Sequence, residues 1–109
     1  MTDRELLEAA ARAADMPYAW NTGAELMLHT LPDATALYWR PLDDDGDALR
    51  LAVKLHFTLR LYMGHACVQS TVPGGPSVYI DEMDFSDPGA ATRRAIVRAA
   101  AAIALKAAA

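Results

Sequence analysis

The sequence predicts an α+β protein, a small antiparallel sheet with two to three helices packed on one face. Three observations lead there. Apolar residues recur at helical spacing near both ends of the chain and once in its middle. The stretch between the second and third of these segments carries strand-forming residues, and turn residues rather than linkers separate the pieces. The 109 residues are 53% hydrophobic and 22% charged, enough apolar material for one core and too short a chain for two. Residues 1–109 are therefore expected to form one domain.

Thr2 or Asp3 followed by Glu5 opens a helix over residues 3–15, where Leu6, Leu7, Ala10, Ala11 and Ala14 share a face until Pro17 stops the run. Residues 18–30 predict one or two short strands, interrupted at Gly23 and ended by Pro32-Asp33, and residues 36–40 predict another, with Pro41 holding Arg40 out of helical geometry. The acids Asp43, Asp44, Asp45 and Asp47 favour a helix N-terminus, so a second helix is expected from about Asp45, with Leu49, Ala52, Val53 and His56 or Phe57 facing inward. A hairpin of residues 58–70 and 77–83 follows, with Val72-Pro73-Gly74-Gly75-Pro76 as its flexible tip. Asp87-Pro88 caps and opens a last, alanine-rich helix whose only large apolar residues are Ile96, Val97, Ile103 and Leu105. A helix with so little volume of its own predicts close packing on another helix, and with it a homo-oligomer.

Charge is segregated along the chain. Residues 1–47 hold ten acids and three arginines, a balance of −7, within a net charge of −4. Residues 48–80 hold Arg50, Lys54 and Arg60 and no acid, and the last helix holds Arg93, Arg94, Arg98 and Lys106 and no acid. Overall acidity argues against duplex nucleic acid as a partner while leaving room for a small anionic ligand. The N-terminus lacks the basic head and apolar body of a signal peptide, and Lys106 interrupts the apolar C-terminal run short of a bilayer span, so a cytoplasmic protein without a membrane partner is expected.

Few residues invite chemistry. Cys67 has no second cysteine, which excludes an internal disulfide and cysteine zinc knuckles and leaves a buried thiol as the usual reading. His29, His56 and His65 show none of the helical spacings that place two imidazoles on one face. The aspartate run lacks the alternation of a calcium loop. Ser70, Thr71 and Ser77 stand in no nucleophile elbow and beside no obvious His/Asp arrangement, and no phosphate-binding glycine motif occurs. No metal, cofactor or catalytic residue is expected, and an enzyme is not.

The arginines are harder to dismiss. Arg94 and Arg98 lie four residues apart, so they share a helical face and repel unless something negative offsets them. Salt bridges to Asp81, Glu82, Asp84 or the N-terminal acids would do so. A phosphate clamp of Arg93, Arg94 and Arg98, joined by Arg40, Arg50 or Arg60, would do so equally, with Trp39, Tyr62, Tyr79 or Phe85 to stack on a base or ribose. The candidate ligand set is Trp39, Arg40, Tyr79, Arg93, Arg94 and Arg98.

The segment from Tyr38-Trp39-Arg40-Pro41-Leu42 through Gly46-Asp47-Ala48-Leu49-Arg50-Leu51, with the closing Asp87-Pro88-Gly89-Ala90-Ala91-Thr92-Arg93-Arg94-Ala95-Ile96-Val97, resembles a group of small phage and prophage proteins of unassigned function. In its general order of elements the chain is similar, more distantly, to the phage anti-Thoeris signal sponges. That resemblance implies a counter-defence protein that sequesters a nucleotide-derived immune signal without cleaving it. Where the sponge pattern has Asn-Pro and an arginine two residues on, this chain has Asp87-Pro88 and Ala90. The alternative is an interaction protein of the anti-CRISPR or anti-restriction kind, which blocks a host macromolecule by surface contact and for which the acidic N-terminal part would serve as the mimic.

Overall fold

The computed structural model describes residues 1–70 and 73–108; Thr71 and Val72, the former weighed as a nucleophile and the latter as the start of the Gly-Gly loop, lie outside them. In chain order the elements are α1 (Asp3–Ala13), β1 (Ala19–Asn21), β2 (Leu26–Thr30), β3 (Ala36–Trp39), α2 (Asp45–Lys54), β4 (Phe57–Tyr62), β5 (His65–Ser70), β6 (Val78–Met83) and α3 (Pro88–Ala108). The fold is α+β, with two three-stranded antiparallel sheets, β1-β2-β3 and β4-β5-β6. No helix among the described residues is long and apolar enough to cross a membrane.

The helix caps follow the sequence closely. Thr2 accepts from the Glu5 amide and Glu5 reaches back to the Thr2 amide, a complete capping box. At the other end of α1 the Met16 amide bonds Ala11 O and the Asp15 amide bonds Arg12 O, with Asp15 left-handed at φ 52°. This pair of hydrogen bonds closes the helix two residues before the expected boundary. Asp44 caps α2 through the Asp47 amide, and Asp87 caps α3 through the Ala90 amide.

The Ala-rich α3 is the centre of the molecule. Residues Ala95–Val97 and Ala99–Ala101 are all buried, which puts core on more than one side of the helix. It lies on β5 and β6, pairs with α1 along Leu6, Leu7, Ala9, Ala10 and Ala11, and touches α2. The small side chains that pointed to a second copy are thus covered within the one chain. The first sheet sits on α1 through the cross-strand row Trp20, Met27 and Trp39, of which Met27 and Trp39 are buried.

Two expectations need correction. The inward face of α2 is Ala48, Leu51 and Ala52, while Leu49 is 56% and Val53 65% exposed. Both phases satisfy helical spacing in a segment this apolar, and packing on α3 selects the one with two alanines. The helix also ends at Lys54, with Leu55 as its cap and His56 left-handed at φ 58°, so Phe57 already belongs to a strand. The stretch 58–70, expected as one strand, is itself a hairpin that turns at Met63-Gly64, and 78–83 adds a third strand to it. Gly64 has φ 69° and Phe85 closes over it; a Cβ there would lie 2.8 Å from Phe85 Cγ.

The phase of α2 is testable. Leu51→Ala removes a fully buried side chain and is expected to cost about 2–5 kcal/mol in urea denaturation, whereas Leu49→Ala should change stability by less than about 0.5 kcal/mol. Equal effects would contradict the observed packing.

Candidate functional site

Two places gather polar side chains. The first is a cleft of about 680 Å³ between the start of α1, the start of α3, the loop before α2 and the first sheet. Trp20, Trp39, Arg40, Arg93 and Arg94 line it, together with Asp3, Glu25, Asp43 and Asp87. Four of the six expected ligand residues meet there: Trp39, Arg40, Arg93 and Arg94.

Each guanidinium has a partner in the chain. Arg93 donates from Nε to Leu42 O at 2.9 Å and from Nη1 to Asp45 Oδ1 at 2.8 Å. Arg94 donates to Asp3 Oδ1 at 3.0 Å, and Arg40 stands 3.9 Å from Asp43 with its side chain more than half exposed. Arg93 is the most enclosed of the three, and Arg40 the most loosely held. A guanidinium has five N–H donors, so these contacts leave each with further donors to offer. Trp39 is 3% exposed and stacked on Tyr18 at 5.3 Å with nearly parallel rings, which makes it wall rather than platform. Trp20, missed in the sequence reading, is the more accessible indole, with Arg4 5.6 Å over its ring. The left-handed Glu25, φ 54°, forms part of the rim.

The other two expected residues lie elsewhere. Arg98 donates to Glu82 at 2.5 Å and to Asp81 O, at the edge of a smaller depression shared with Arg94. Tyr79 sits on the face of the second sheet that points away from the helices, in register with Gln69. The aspartate run is a helix cap bound to arginines: Asp44 and Asp47 take Arg50, Asp47 takes the Arg40 amide, and Asp45 takes Arg93.

The second place is that outward face. Cys67, expected as a buried thiol, is buried but has polar neighbours that the sequence reading did not give it. Cys67 and Asp81 are direct cross-strand partners, and His65 lies two residues before Cys67 on the same face of β5. The Cys67 thiol donates to Asp81 Oδ1 at 2.7 Å, His65 Nε2 lies 2.9 Å from the same oxygen, and Sγ and Nε2 are 3.5 Å apart. The Tyr79 hydroxyl donates to Sγ at 3.4 Å and to Asp81 Oδ1 at 3.3 Å, and Tyr62 stacks on His65 at 5.5 Å. Cys67 is 6% exposed although it faces away from the helices.

This network sets its own protonation. Donation to the Asp81 carboxylate raises the Cys67 pKa, and the bonds from Cys67 and His65 lower that of Asp81. Tyr79, donating to Cys67, is pushed up to about 12. Because the Asp81 pKa is depressed on folding, its contribution to stability is intact above the ordinary carboxylate range and is lost as pH falls through the depressed value. Strand alternation already put His65 with Cys67 and Tyr79 with Asp81 in pairs on one face. Joining the pairs needs the β5–β6 register, which the flexible tip of the expected 58–70 and 77–83 hairpin leaves open.

The chain matches no protein family, no curated protein and no solved structure.

The paired arginines lead to a stability test. The double change Arg94→Ala, Arg98→Ala relieves an i, i+4 repulsion worth a few tenths of a kcal/mol, but it strips Asp3 and the mostly buried Glu82 of their partners. A net loss of about 1 kcal/mol is expected, most of it from Arg98. Thermal melts of the single and double variants measure it, and an unchanged melting temperature would show that the pairs contribute nothing.

Proposed function

We propose that this chain is a non-enzymatic binding protein that holds a small nucleotide-like anion in the cleft at the start of α3 and sequesters it without cleaving it. The supporting observation is the convergence, on a cleft in the size range of small-molecule sites, of Arg40 from the loop after β3 and the adjacent Arg93 and Arg94 of α3 with the Trp20 indole. Arg40 supplies the most available charge and Arg94 the next, while Arg93 fixes the loop 40–44 that shapes the wall. The class proposed for the ligand, a nucleotide-derived immune signal acting in the host cytoplasm, comes from the distant resemblance of the element order to the phage anti-Thoeris signal sponges, which no match to a known protein accompanies.

The carboxylates set a condition on it. Asp3, Glu25, Asp43 and Asp87 outnumber the three arginines of the lining, so an anion competes with Asp3 for Arg94 and with Asp43 for Arg40. Removing a competitor should therefore tighten binding.

A second reading, contact with a host macromolecule, is favoured by Leu61, Tyr62, Met63, Met83 and Phe85, all more than half exposed at one end of the second sheet.

Calorimetric melts with a panel of cyclic nucleotides test the first. A ligand at a hundred times its dissociation constant adds about 2.7 kcal/mol of stability. The rise should disappear in Arg40→Ala with Trp20→Ala, grow at limiting ligand in Asp3→Asn, and leave the nucleotide chromatographically intact. No rise with any member of the panel removes the sequestration reading and leaves the contact reading.

A further inference from the structure

We propose that His65, Cys67 and Asp81 form a zinc-class metal site on the outward face of the second sheet, with three protein ligands and a fourth position open to solvent. The inference is independent of the cleft.

The geometry carries it. One nitrogen, one sulfur and one oxygen converge at 2.7, 2.9 and 3.5 Å from one another. Around a tetrahedral zinc ion, with bonds of about 2.0–2.3 Å, such donors stand about 3.3–3.6 Å apart. Sγ and Nε2 already have that separation. The oxygen is nearer by less than about 1 Å, which is the difference between sharing a proton and sharing an ion. Asp81 is the ligand that has to move, and its side chain is half exposed while Cys67 and His65 are enclosed. The strand pairing fixes the other two: they sit two residues apart on β5, the central strand, with Asp81 directly across on β6.

The same geometry speaks against a nucleophilic relay. In a Cys-His-acid relay the imidazole takes the thiol proton on one nitrogen and holds the carboxylate with the other. Here a single nitrogen, Nε2, faces both groups, and the thiol hydrogen points to the carboxylate. The three atoms surround a point instead of forming a line. Thiolate with imidazole and carboxylate is a donor set for zinc among the common dications, and two negative ligands neutralise its charge. The Tyr79 hydroxyl, within 3.4 Å of both Sγ and Oδ1, orients two of the three ligands from outside. Among the described residues no other trio of histidine, cysteine or acidic side chains converges in this way. On binding, the ion takes the place of the thiol proton, which is released to solvent, and the hydrogen that Nε2 directs at Asp81 moves to Nδ1 so that the Nε2 lone pair can coordinate.

Cobalt(II) is the probe, added to the reduced full-length protein. A thiolate-to-cobalt charge-transfer absorption in the near ultraviolet, with visible bands of tetrahedral intensity, should appear and saturate at one ion per chain, and zinc should displace it. His65→Ala and Asp81→Asn should each weaken cobalt binding by at least about tenfold. His29→Ala and His56→Ala, remote from the cluster, should leave it unchanged. Zinc should raise the melting temperature of the unmodified protein and not that of Asp81→Asn. Absence of the charge-transfer band in the unmodified protein overturns the proposal without any variant. So does saturation at one ion per two chains, or a band of undiminished affinity in both His65→Ala and Asp81→Asn, which would mean the thiol binds alone.

Discussion

The rest of the structure depends on the close packing that alanine permits around α3. A helix with large side chains on every side would hold its neighbours well apart, whereas α3 buries Ala95, Ala99, Ala100 and Ala101 alongside Ile96 and Val97. It can therefore lie under α1, beside α2 and on β5 and β6 at once. The contact has little hydrophobic payload per residue, because an alanine offers few methylene groups to bury. What it gains is dense contact at low side-chain entropy cost. The larger residues that complete the core come from the neighbours: Leu6 and Leu7 from α1, Leu51 from α2, and Val68 and Val78 from the second sheet.

The arginines of α3 occupy what is left of its surface. Arg93 reaches Asp45 of α2, Arg94 reaches Asp3 of α1, and Arg98 reaches Glu82 of β6. Three of the elements packed on α3, namely α1, α2 and β6, are thus each tied to it by one long side chain, whose aliphatic stem adds apolar contact below the charge. The segregation of charge in the sequence has its explanation here. A central helix with only cations needs its anions on the elements that surround it, and the acids stand at the start of α1, the start of α2 and on β6. Exposed pairs of this kind add little stability singly, but they discriminate between registers of the surrounding elements. The cleft lies where two of these ties, Arg93 and Arg94, run side by side, so any ligand there competes with contacts that the fold itself uses.

How far the sequence reaches can be judged from particular residues. Thr2 with Glu5, Asp44 and Asp87-Pro88 announce helix starts because capping is local chemistry, and the structure has all three. The phase of α2 was not legible, since Leu49, Ala52 and Val53 make as good a stripe as Ala48, Leu51 and Ala52 until α3 is in place. The turn at Met63-Gly64 was hidden because Met63, 91% exposed, reads as one more apolar residue in a strand. That one missed turn had the largest effect on the site. It kept 58–70 as a single strand and left His65 and Cys67 without the neighbours that β4 provides.

The cluster on β5 and β6 shows why site chemistry is harder to read than fold. Helical metal motifs are legible because i, i+4 spacing alone brings two ligands together. On a sheet, spacing supplies only a pair along one strand, and the third group arrives through register. His65 and Cys67 satisfy the i, i+2 rule, but Asp81 becomes their partner only because Cys67 pairs with it, and a slip of one residue would set Ile80 or Glu82 there instead. A slip would also turn Val78, Ile80 and Glu82 outward and strip the face that α3 covers. The apolar pattern of the inner face therefore fixes the register, and the polar constellation on the outer face follows from it. The alanine packing that holds β5 and β6 against α3 is, by this route, also what places a nitrogen, a sulfur and an oxygen around one point on the opposite side of the sheet.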